Sequence, residues 1–363
     1  MTLIFAIESS CDETAAAVVR DGRVILSNVI ASQIELHARY GGVYPEVASR
    51  AHVEAISSVV AQAWHESGVA PDQVDAIAVT RGPGLIGSLL VGVNYAKGLA
   101  LALDKPLIGV NHLEGHVCAL WLDGRDADAP EPVEFPAIVL IVSGGHTELL
   151  LMSGHGAYTR LGGTLDDAAG EAFDKVGRTL GLPFPGGPHI EKIAAKGNAT
   201  AFDFPRGKSD DSFDFSFSGL KTAVLRAATV APAQPKRAAG SVAPARDNRA
   251  VVLRSGISVA DVAASFQRAL VESLVSKTVR AAQVHGARMI LLTGGVSANS
   301  ALRDAMRRET ALPVLFPPVS LCTDNAAMIA AAAHRRWLDG TRHDLNMDAV
   351  ASWALTSAAY VGV

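Results

Sequence analysis

The chain is poor in cysteine, in charge and in aromatic residues. Its 363 residues include three cysteines, an odd number without a disulfide framework, so we expect a reducing compartment. Charged residues make up 19% and hydrophobic ones 49%, which excludes a disordered chain and allows two cores. We find no apolar run of membrane-spanning length, and residues 1–7 lack the basic start and cleavage site of a signal peptide. The sequence therefore predicts a cytoplasmic protein without membrane contact.

A net positive charge is missing too. The formal net charge is −4, so no overall field attracts nucleic acid, and a nucleic-acid substrate would need a local basic patch or a partner protein. Residues 227–249 are rich in alanine and proline, with four basic residues and one acidic residue. Because this stretch has no apolar periodicity, we interpret it as a solvated loop. A mobile basic arm that contacts nucleic-acid phosphates is the alternative.

Two histidines, His112 and His116, lie four residues apart. On a helix they would be about 40° apart around the axis, so they could bind one metal ion from the same face. Glu114 would point about 200° away from His112, unlike the catalytic glutamate of an H-E-x-x-H zinc peptidase. The spacing therefore argues against a peptidase base. By itself it fits a metal site and a pair of ordinary, partly buried histidines equally well.

Three segments of small residues each follow an apolar run, and they lie at 8–14, 142–147 and 293–299. Glycine and serine let backbone N–H groups come close to phosphate oxygens. One such segment is often only a tight turn. Three of them in one chain predict nucleotide binding.

The order of the predicted elements indicates an internal duplication. Strands are expected at 3–7, 14–20, 23–31, 74–80 and 106–110, then at 137–142, 146–152, 157–161, 288–292 and 313–316. Helices are expected at 45–67, 84–103 and from His112, then at 165–180, 217–227, 259–285, 299–310 and 324–337. Two runs of three strands, each followed by alternating helices and strands, predict two mixed α/β domains.

Long motifs resemble the universal tRNA threonylcarbamoyladenosine transferase family in its bacterial form, formerly called O-sialoglycoprotein endopeptidase or glycoprotease. The matching segments are ESSCDET, GGVYPEVASRAH, GPGLIGSLLVG, NHLEGH, VSGGHTEL, DDAAGEAFDKVGRTLGLPFPGGP, DFSFSGLKTAV, TGGVSANSALR and TDNAAMIA. They run in order from Glu8 to Ala330, so the resemblance covers nearly the whole chain.

The resemblance implies an α/β fold of two actin-like domains (the ASKHA or ribonuclease H-like class) with duplicated mixed sheets and a nucleotide cleft between them. We place domain I at 1–123 plus 322–363, with the last helix crossing back onto it. Domain II is placed at 124–321, with the Ala/Pro-rich loop at about 227–249. The implied activity is transfer of threonylcarbamoyl from threonylcarbamoyl-adenylate to N6 of the adenosine 3′ to the anticodon of tRNAs that read ANN codons, with release of AMP.

The resemblance also implies the site residues. His112, His116 and Asp324 would bind one divalent metal ion, with Fe²⁺ favoured and Zn²⁺ as the alternative. Without the resemblance, Asp324 would be interpreted as the N-cap of the last helix. The residues implied to bind the adenylate are Val142, Ser143, Gly144, Gly145, His146, Asp174, Gly187, Glu191 and Asn299. Glu191 departs from the family pattern, in which aspartate is frequent.

Asp12 and Glu13 are the candidates for catalytic carboxylates facing the substrate, and Asp12 is preferred because actin-like folds place an acidic residue there. The implied partners are tRNA, a paralogous actin-like subunit and a small P-loop ATPase. The competing interpretations are a metallopeptidase, a non-catalytic scaffold or ATPase regulator on the same fold, and a sugar kinase.

Overall fold

The computed structural model describes residues 1–122, 133–207, 211–230 and 252–356. Its first five strands form a mixed sheet in the order β3-β2-β1-β4-β5. The strands are β1 (Leu3–Glu8), β2 (Glu13–Arg20), β3 (Val24–Ser32), β4 (Ala76–Gly82) and β5 (Leu107–Asn111). The first three strands pair antiparallel, and β4 and β5 continue the sheet in parallel with β1.

The second sheet repeats this arrangement in the order β10-β9-β6-β7-β8. Its strands are β6 (Ala137–Val142), β7 (Thr147–Gly154), β8 (Ala157–Gly163), β9 (Met289–Thr293) and β10 (Val314–Leu315). Again three antiparallel strands are followed by two parallel ones. The predicted duplication is therefore confirmed at the level of strand order.

The described helices fall into the same two halves. The first half contains α1 (Ile34–Ala38), α2 (Pro45–Ser67), α3 (Ile86–Leu103) and α4 (His112–Cys118). The second contains α5 (Ala169–Thr179), α6 (Gly186–Ala194), α7 (Ser218–Ala228), α8 (Val259–Val284), α9 (Ser300–Glu309) and α10 (Ala326–Leu338). Neither α1 nor α6 was predicted. Helix α7 includes the first two residues of the predicted Ala/Pro-rich loop, so the predicted start of the loop at about 227 was two residues too early. The rest of that prediction, at 231–249, lies outside the described residues.

The last helix returns to the first sheet, as the family resemblance implied. Met328 and Ile329 of α10 are fully buried in one cluster with Ile4 and Ala6 of β1. This packing brings the end of the chain against the strands and helix of its first half. The domain boundaries at 123/124 and 321/322 stay a prediction.

One described helix, α3, is long and apolar enough to cross a membrane by length and composition alone, and 33% of it is buried. The expectation that no run reaches this length was therefore wrong. The buried side of α3 is part of a core, because Val93 and Ala96 pack in one cluster with Phe5 and Ile77 of the first sheet. A core helix can have the same length and apolar composition as a membrane span, so these two properties alone are weak evidence for one.

Candidate active site

The helix α4 begins directly where β5 ends, and its first turn is fixed by Asn111. The Asn111 Oδ1 atom accepts hydrogen bonds from the backbone N–H groups of Leu113 and Glu114, at 2.9 and 3.4 Å. This N-cap satisfies donors that a helix start leaves unpaired. It also fixes the orientation of the turn that carries His112 and His116, both of which are buried.

Asp324 lies just before α10 and does not cap it. The cap is Asn325, whose Oδ1 accepts from the Met328 N–H at 3.0 Å. The helix begins at Ala326, so the prediction of a helix from residue 324 and the N-cap interpretation of Asp324 were wrong. Since Asn325 takes the capping role, the Asp324 carboxylate is left to face the histidines.

The structure brings His112, His116 and Asp324 together. One ligand atom from each lies within 4.8 Å of the others. Asp324 Oδ1 is 3.2 Å from His116 Nε2 and 3.6 Å from His112 Nε2. Both ring nitrogens of His116 are buried, and among the described residues Nδ1 has no hydrogen bond while Nε2 contacts Asp324 of the same set. Buried polar atoms are normally paired, so this set fits a metal ion of the kind that imidazole and carboxylate bind.

Glu8 orients His112 from the other side of its ring. Its Oε2 accepts from His112 Nδ1 at 3.0 Å and from Thr80 Oγ1 at 2.6 Å. A proton held on Nδ1 leaves the Nε2 lone pair directed towards Asp324. We did not select Glu8 from the sequence, although a carboxylate at the end of an apolar strand was a signal for it.

The charges of this cluster favour a bound cation. Burial opposes protonation of His112, yet Asp324 and Glu8 together raise its pKa to about 9. Burial also works against an ionised Asp324, but His112 and His116 hold its pKa well below the ordinary value. The site therefore attracts positive charge, whether a proton or a metal ion supplies it.

Glu114 lies on the opposite side of α4, as its spacing predicted. Its Oε2 accepts from Arg336 of α10, at 2.9 Å from Nε and 2.7 Å from Nη2, and both side chains are buried. The pair joins the helix that carries the histidines to the helix that follows Asp324. Because Glu114 is engaged there, it is not directed at the metal-binding set.

Asp12 ends the loop between β1 and β2, and Glu13 is the first residue of β2. Burial, together with the charges of Asp12 and Asp324, raises the pKa of Glu13 well above its ordinary value. His52 of α2 supports this loop, since its Nε2 donates to the Cys11 carbonyl at 3.0 Å and its Nδ1 lies 2.7 Å from Thr14 Oγ1. The sequence did not identify His52.

The β6–β7 loop contains Ser143, Gly144, Gly145 and His146. It is closed by Ser143 N–H donating to the His146 carbonyl at 2.8 Å and by His146 N–H donating to Ser143 Oγ at 3.1 Å. Gly144 and Gly145 are exposed, and a Cβ on either would meet nothing within 4 Å. The His146 ring is 6.5 Å from that of His112, and burial plus the two metal-site histidines lower its pKa to about 4. The loop thus adjoins His112, the first member of the candidate metal set.

Asp174 and Gly187 lie together where α5 faces the start of α6. Asp174 Oδ1 accepts from the Gly186 N–H at 2.7 Å. Burial, with a contribution from Asp12, raises the pKa of Asp174 to about 6. A Cβ on Gly187 would meet only Phe173, at 4.0 Å, so the backbone there is open to a ligand.

Glu191 and Asn299 both have protein partners. Glu191 Oε1 accepts from the Ser300 N–H at 2.8 Å and from its hydroxyl at 2.5 Å, which ties α6 to the start of α9. Asn299 caps α9 through the Leu302 N–H at 3.0 Å, and its amide donates to Gln267 at 2.9 Å. Asn299 is therefore the N-cap of α9, and the ligand roles of both residues stay predictions.

Known proteins resemble this chain along nearly all of its length. A family model for tRNA N6-adenosine threonylcarbamoyltransferase matches residues 24–331. A protein of that name from Thermomicrobium roseum is 57% identical over 348 residues, which cover 95% of each chain. Another from Symbiobacterium thermophilum is 52% identical over 351 residues, covering 96% of this chain and 95% of that one.

Solved structures of low identity share the fold. HypF from T. kodakarensis superposes with a TM-score of 0.59 at 15% identity, over 93% of this chain and 48% of that chain. Component A of (R)-2-hydroxyglutaryl-CoA dehydratase from Acidaminococcus fermentans gives 0.50 at 14% identity, over 92% and 98%. The predicted two-domain, actin-like α/β class is confirmed. By its sequence, this chain belongs to the family of tRNA N6-adenosine threonylcarbamoyltransferases.

Proposed function

We propose that this chain transfers the threonylcarbamoyl group from threonylcarbamoyl-adenylate to N6 of the adenosine 3′ to the anticodon in tRNAs that read ANN codons. One observation carries the proposal beyond family membership. The set His112, His116 and Asp324 adjoins the loop whose Gly144 and Gly145 backbone is open. A cation site beside exposed backbone amides suits a substrate that joins a carbonyl to a phosphate.

His112, His116 and Asp324 would hold one divalent ion, for which we favour Fe²⁺ over Zn²⁺. When bound, the ion supplies Lewis-acid polarisation of a carbonyl oxygen. The protein keeps the three donors in place through Glu8 behind His112 and through the Glu114–Arg336 pair behind α4. Residues that hold ligands in this way normally matter for metal affinity.

The adenylate would lie against residues of the second half. The amides of Gly144 and Gly145 would face the phosphate, Ser143 would hold the loop closed through its bonds with His146, and the open backbone at Gly187 would approach the nucleoside. Asp174 would accept a hydrogen bond from the ribose or the base. The remaining adenylate-site residues would be Val142, His146, Glu191 and Asn299. Glu191 and Asn299 would act indirectly, because their hydrogen bonds hold the start of α9 against α6 and α8.

The reaction is acyl transfer to an amine. The N6 nitrogen forms a bond to the carbamoyl carbon, the bond from that carbon to the phosphate oxygen breaks, and AMP leaves with the electron pair. A base must take one proton from N6. We assign this to Asp12, because the raised pKa of Glu13 favours its protonated form and makes it the poorer acceptor.

The proposal also includes the acceptor, the partner proteins and the compartment. The acceptor is tRNA, the substrate class of the family. A paralogous actin-like subunit and a small P-loop ATPase are the proposed partners, and α2 and α3 offer them a docking face that includes exposed Val53 and Leu90. The proposed compartment is the cytoplasm.

Reconstitution tests the function. Purified chain, both partners, unmodified tRNA and threonylcarbamoyl-adenylate are incubated, and the tRNA nucleosides are analysed by mass spectrometry. We expect threonylcarbamoyladenosine from the complete mixture and little multiple turnover by the chain alone. Absence of the modified nucleoside from every mixture would refute the activity, and full turnover by the isolated chain would refute the dependence on partners.

A metallopeptidase is the rival enzyme class. The Glu114 carboxylate, which would have to act as its base, is engaged with Arg336 on the far side of α4. We therefore expect no cleavage of a sialoglycoprotein by the metal-loaded chain.

A further inference from the structure

Two neighbouring tyrosines are exposed in the connection between α1 and α2. Among the described residues, Tyr40 and Tyr44 are the only tyrosine, phenylalanine or tryptophan side chains classed as exposed, at 55% and 47%. Their rings stack on each other at 5.6 Å and 28°. Exposed aromatic pairs are unusual on a surface that contacts only water, and they are frequent where a partner binds.

The pair lies on a short connection that is hydrogen-bonded, through His37 and Gln33, to the loop between β1 and β2. The connection joins α1 to α2, and the Tyr44 N–H donates to His37 Nδ1 at 3.3 Å. His37 Nε2 lies 3.1 Å from Gln33 Oε1, and the Gln33 N–H donates to the Asp12 carbonyl at 3.0 Å. The segment that carries the two rings is therefore tied to the loop that contains Asp12.

The same connection reaches the second half of the molecule. A Cβ on Gly41 would lie 3.9 Å from Cδ of Arg178 on α5, one turn beyond Asp174. The connection that carries Tyr40 and Tyr44 thus extends from the β1–β2 loop to the exposed Arg178, at the rim between the two halves.

The chemistry of this rim suits a single-stranded nucleotide. An aromatic face stacks on any base, and guanidinium groups pair with phosphates. Arg39 precedes Tyr40 in the chain and is exposed, as are Arg178 opposite Gly41 and Arg50 on α2. The acidic residues of α1, α2 and α5 are Glu35, Glu46, Glu54, Glu66, Glu171 and Asp174, so the surface has no positive excess. Stacking, rather than net charge, would supply most of the affinity here.

We propose that Tyr40 and Tyr44 are a stacking platform for a nucleobase that flanks the target adenosine in the tRNA anticodon loop. The proposal rests on the proposed function, because it needs an RNA acceptor whose N6 enters the site. With the target base turned into the cleft, its neighbour in the loop would lie on the rim. The tyrosines would then bind RNA and take no part in the bond-making step.

Steady-state kinetics in the reconstituted system with saturating partners test the platform. Tyr40→Ala and Tyr44→Ala should each raise KM for tRNA about tenfold, the effect of losing one base–aromatic stack. The kcat value and KM for threonylcarbamoyl-adenylate should change less than about twofold. Tyr40→Phe and Tyr44→Phe keep the ring and should behave as the parent. Val284→Ala, an exposed apolar position on α8, is the control.

A binding measurement separates this proposal from the proposed function. A tRNA carrying 2-aminopurine beside the target adenosine should be quenched by the parent chain with its partners and not by the Tyr40→Ala/Tyr44→Ala double variant. Equal quenching by both proteins, or a KM for tRNA that stays within twofold, would overturn the platform. Lost association with the partner subunit at unchanged KM for tRNA would do the same and would identify a protein-docking surface. Failure of the parent to form product would instead count against the function.

Discussion

The two sides of the candidate site are built in different ways. On the metal side, His112, His116 and Asp324 are side chains held by other buried side chains, with Glu8 behind His112 and Glu114–Arg336 behind the helix. On the nucleotide side, Gly144, Gly145 and Gly187 offer backbone with open space beside it.

This difference has a consequence for substitutions. On the metal side, truncation of a side chain leaves a buried donor or charge without its partner, so it should reduce metal affinity or stability. On the nucleotide side, backbone atoms would contact the ligand, so a side chain added to a glycine should reduce ligand binding or disturb the packing.

The largest effect should follow removal of a metal ligand. His112→Ala, His116→Ala and Asp324→Ala should each lower metal affinity by at least about 100-fold and abolish transfer, because two donors hold an ion poorly. Metal content by elemental analysis and circular dichroism of the fold check this. His65→Ala, at an exposed histidine of α2, should retain its metal. Stoichiometric metal in a His112→Ala/His116→Ala double variant would contradict the assignment.

Breaking the ion pair behind the metal helix should cost the most stability. Glu114→Ala leaves the Arg336 guanidinium buried without its carboxylate, so the free energy of unfolding should fall by about 3–5 kcal/mol. Arg160→Ala, in a pair whose arginine side chain is 45% exposed, should cost less than about 1 kcal/mol. Urea unfolding measures both. Equal losses would show that burial does not distinguish these pairs.

Two glycines that border the β6–β7 loop should respond differently to alanine. A Cβ on Gly170 would lie 2.6 Å from the Ser143 carbonyl oxygen, so Gly170→Ala should cost about 1–3 kcal/mol of stability. Gly144→Ala meets no atom within 4 Å and should leave stability within about 0.5 kcal/mol while raising KM for the adenylate. Thermal unfolding and kinetics separate the two, and a destabilised Gly144→Ala would show that the loop is not open.

Asp174 should give the smallest effect, and it depends on pH. Burial raises its folded-state pKa from 3.8 to about 6. The ionised carboxylate therefore destabilises the folded state, and this loss of stability grows between about pH 4 and 6 and is fully present above about pH 6. Asp174→Asn should therefore gain stability relative to the parent as pH rises through this window. The full shift corresponds to roughly 3 kcal/mol, and solvent screening of this partly exposed side chain reduces the expected gain to roughly 1–2 kcal/mol. Unfolding at pH 4 and pH 8 tests this, with exposed Asp339→Asn as the control. A constant difference would contradict the raised pKa.

The sequence predicted the regular elements well because their patterns were long. Helix α2 was expected at 45–67 and observed at Pro45–Ser67, and strand β6 was expected at 137–142 and observed at Ala137–Val142. Helix α6 was missed because it starts with Gly186-Gly187-Pro188, which indicates a turn by local propensity. Its packing on α5 and α8 decides the structure there.

The sequence revealed the candidate metal ligands better than the residues that hold these ligands in place. His112 and His116 share a helical face that spacing discloses, whereas Asp324 comes from a point more than 200 residues further along the chain and needed the family motif. Asn325 supplied the cap that spacing alone had given to Asp324. His52 and Arg336 act through contacts between distant segments that no local pattern encodes, and for Glu8 the sequence offered only its position at the end of an apolar strand.

The most direct test of the central claim is a metal titration of activity. Chain stripped with a chelator is returned to the reconstituted system with increasing Fe²⁺, and in parallel with Zn²⁺, and threonylcarbamoyladenosine in the tRNA is measured by mass spectrometry. We predict that stripping abolishes the product and that the yield rises to a plateau at one equivalent of ion per chain. Undiminished product from stripped chain, or from the His112→Ala/His116→Ala variant, would contradict the claim.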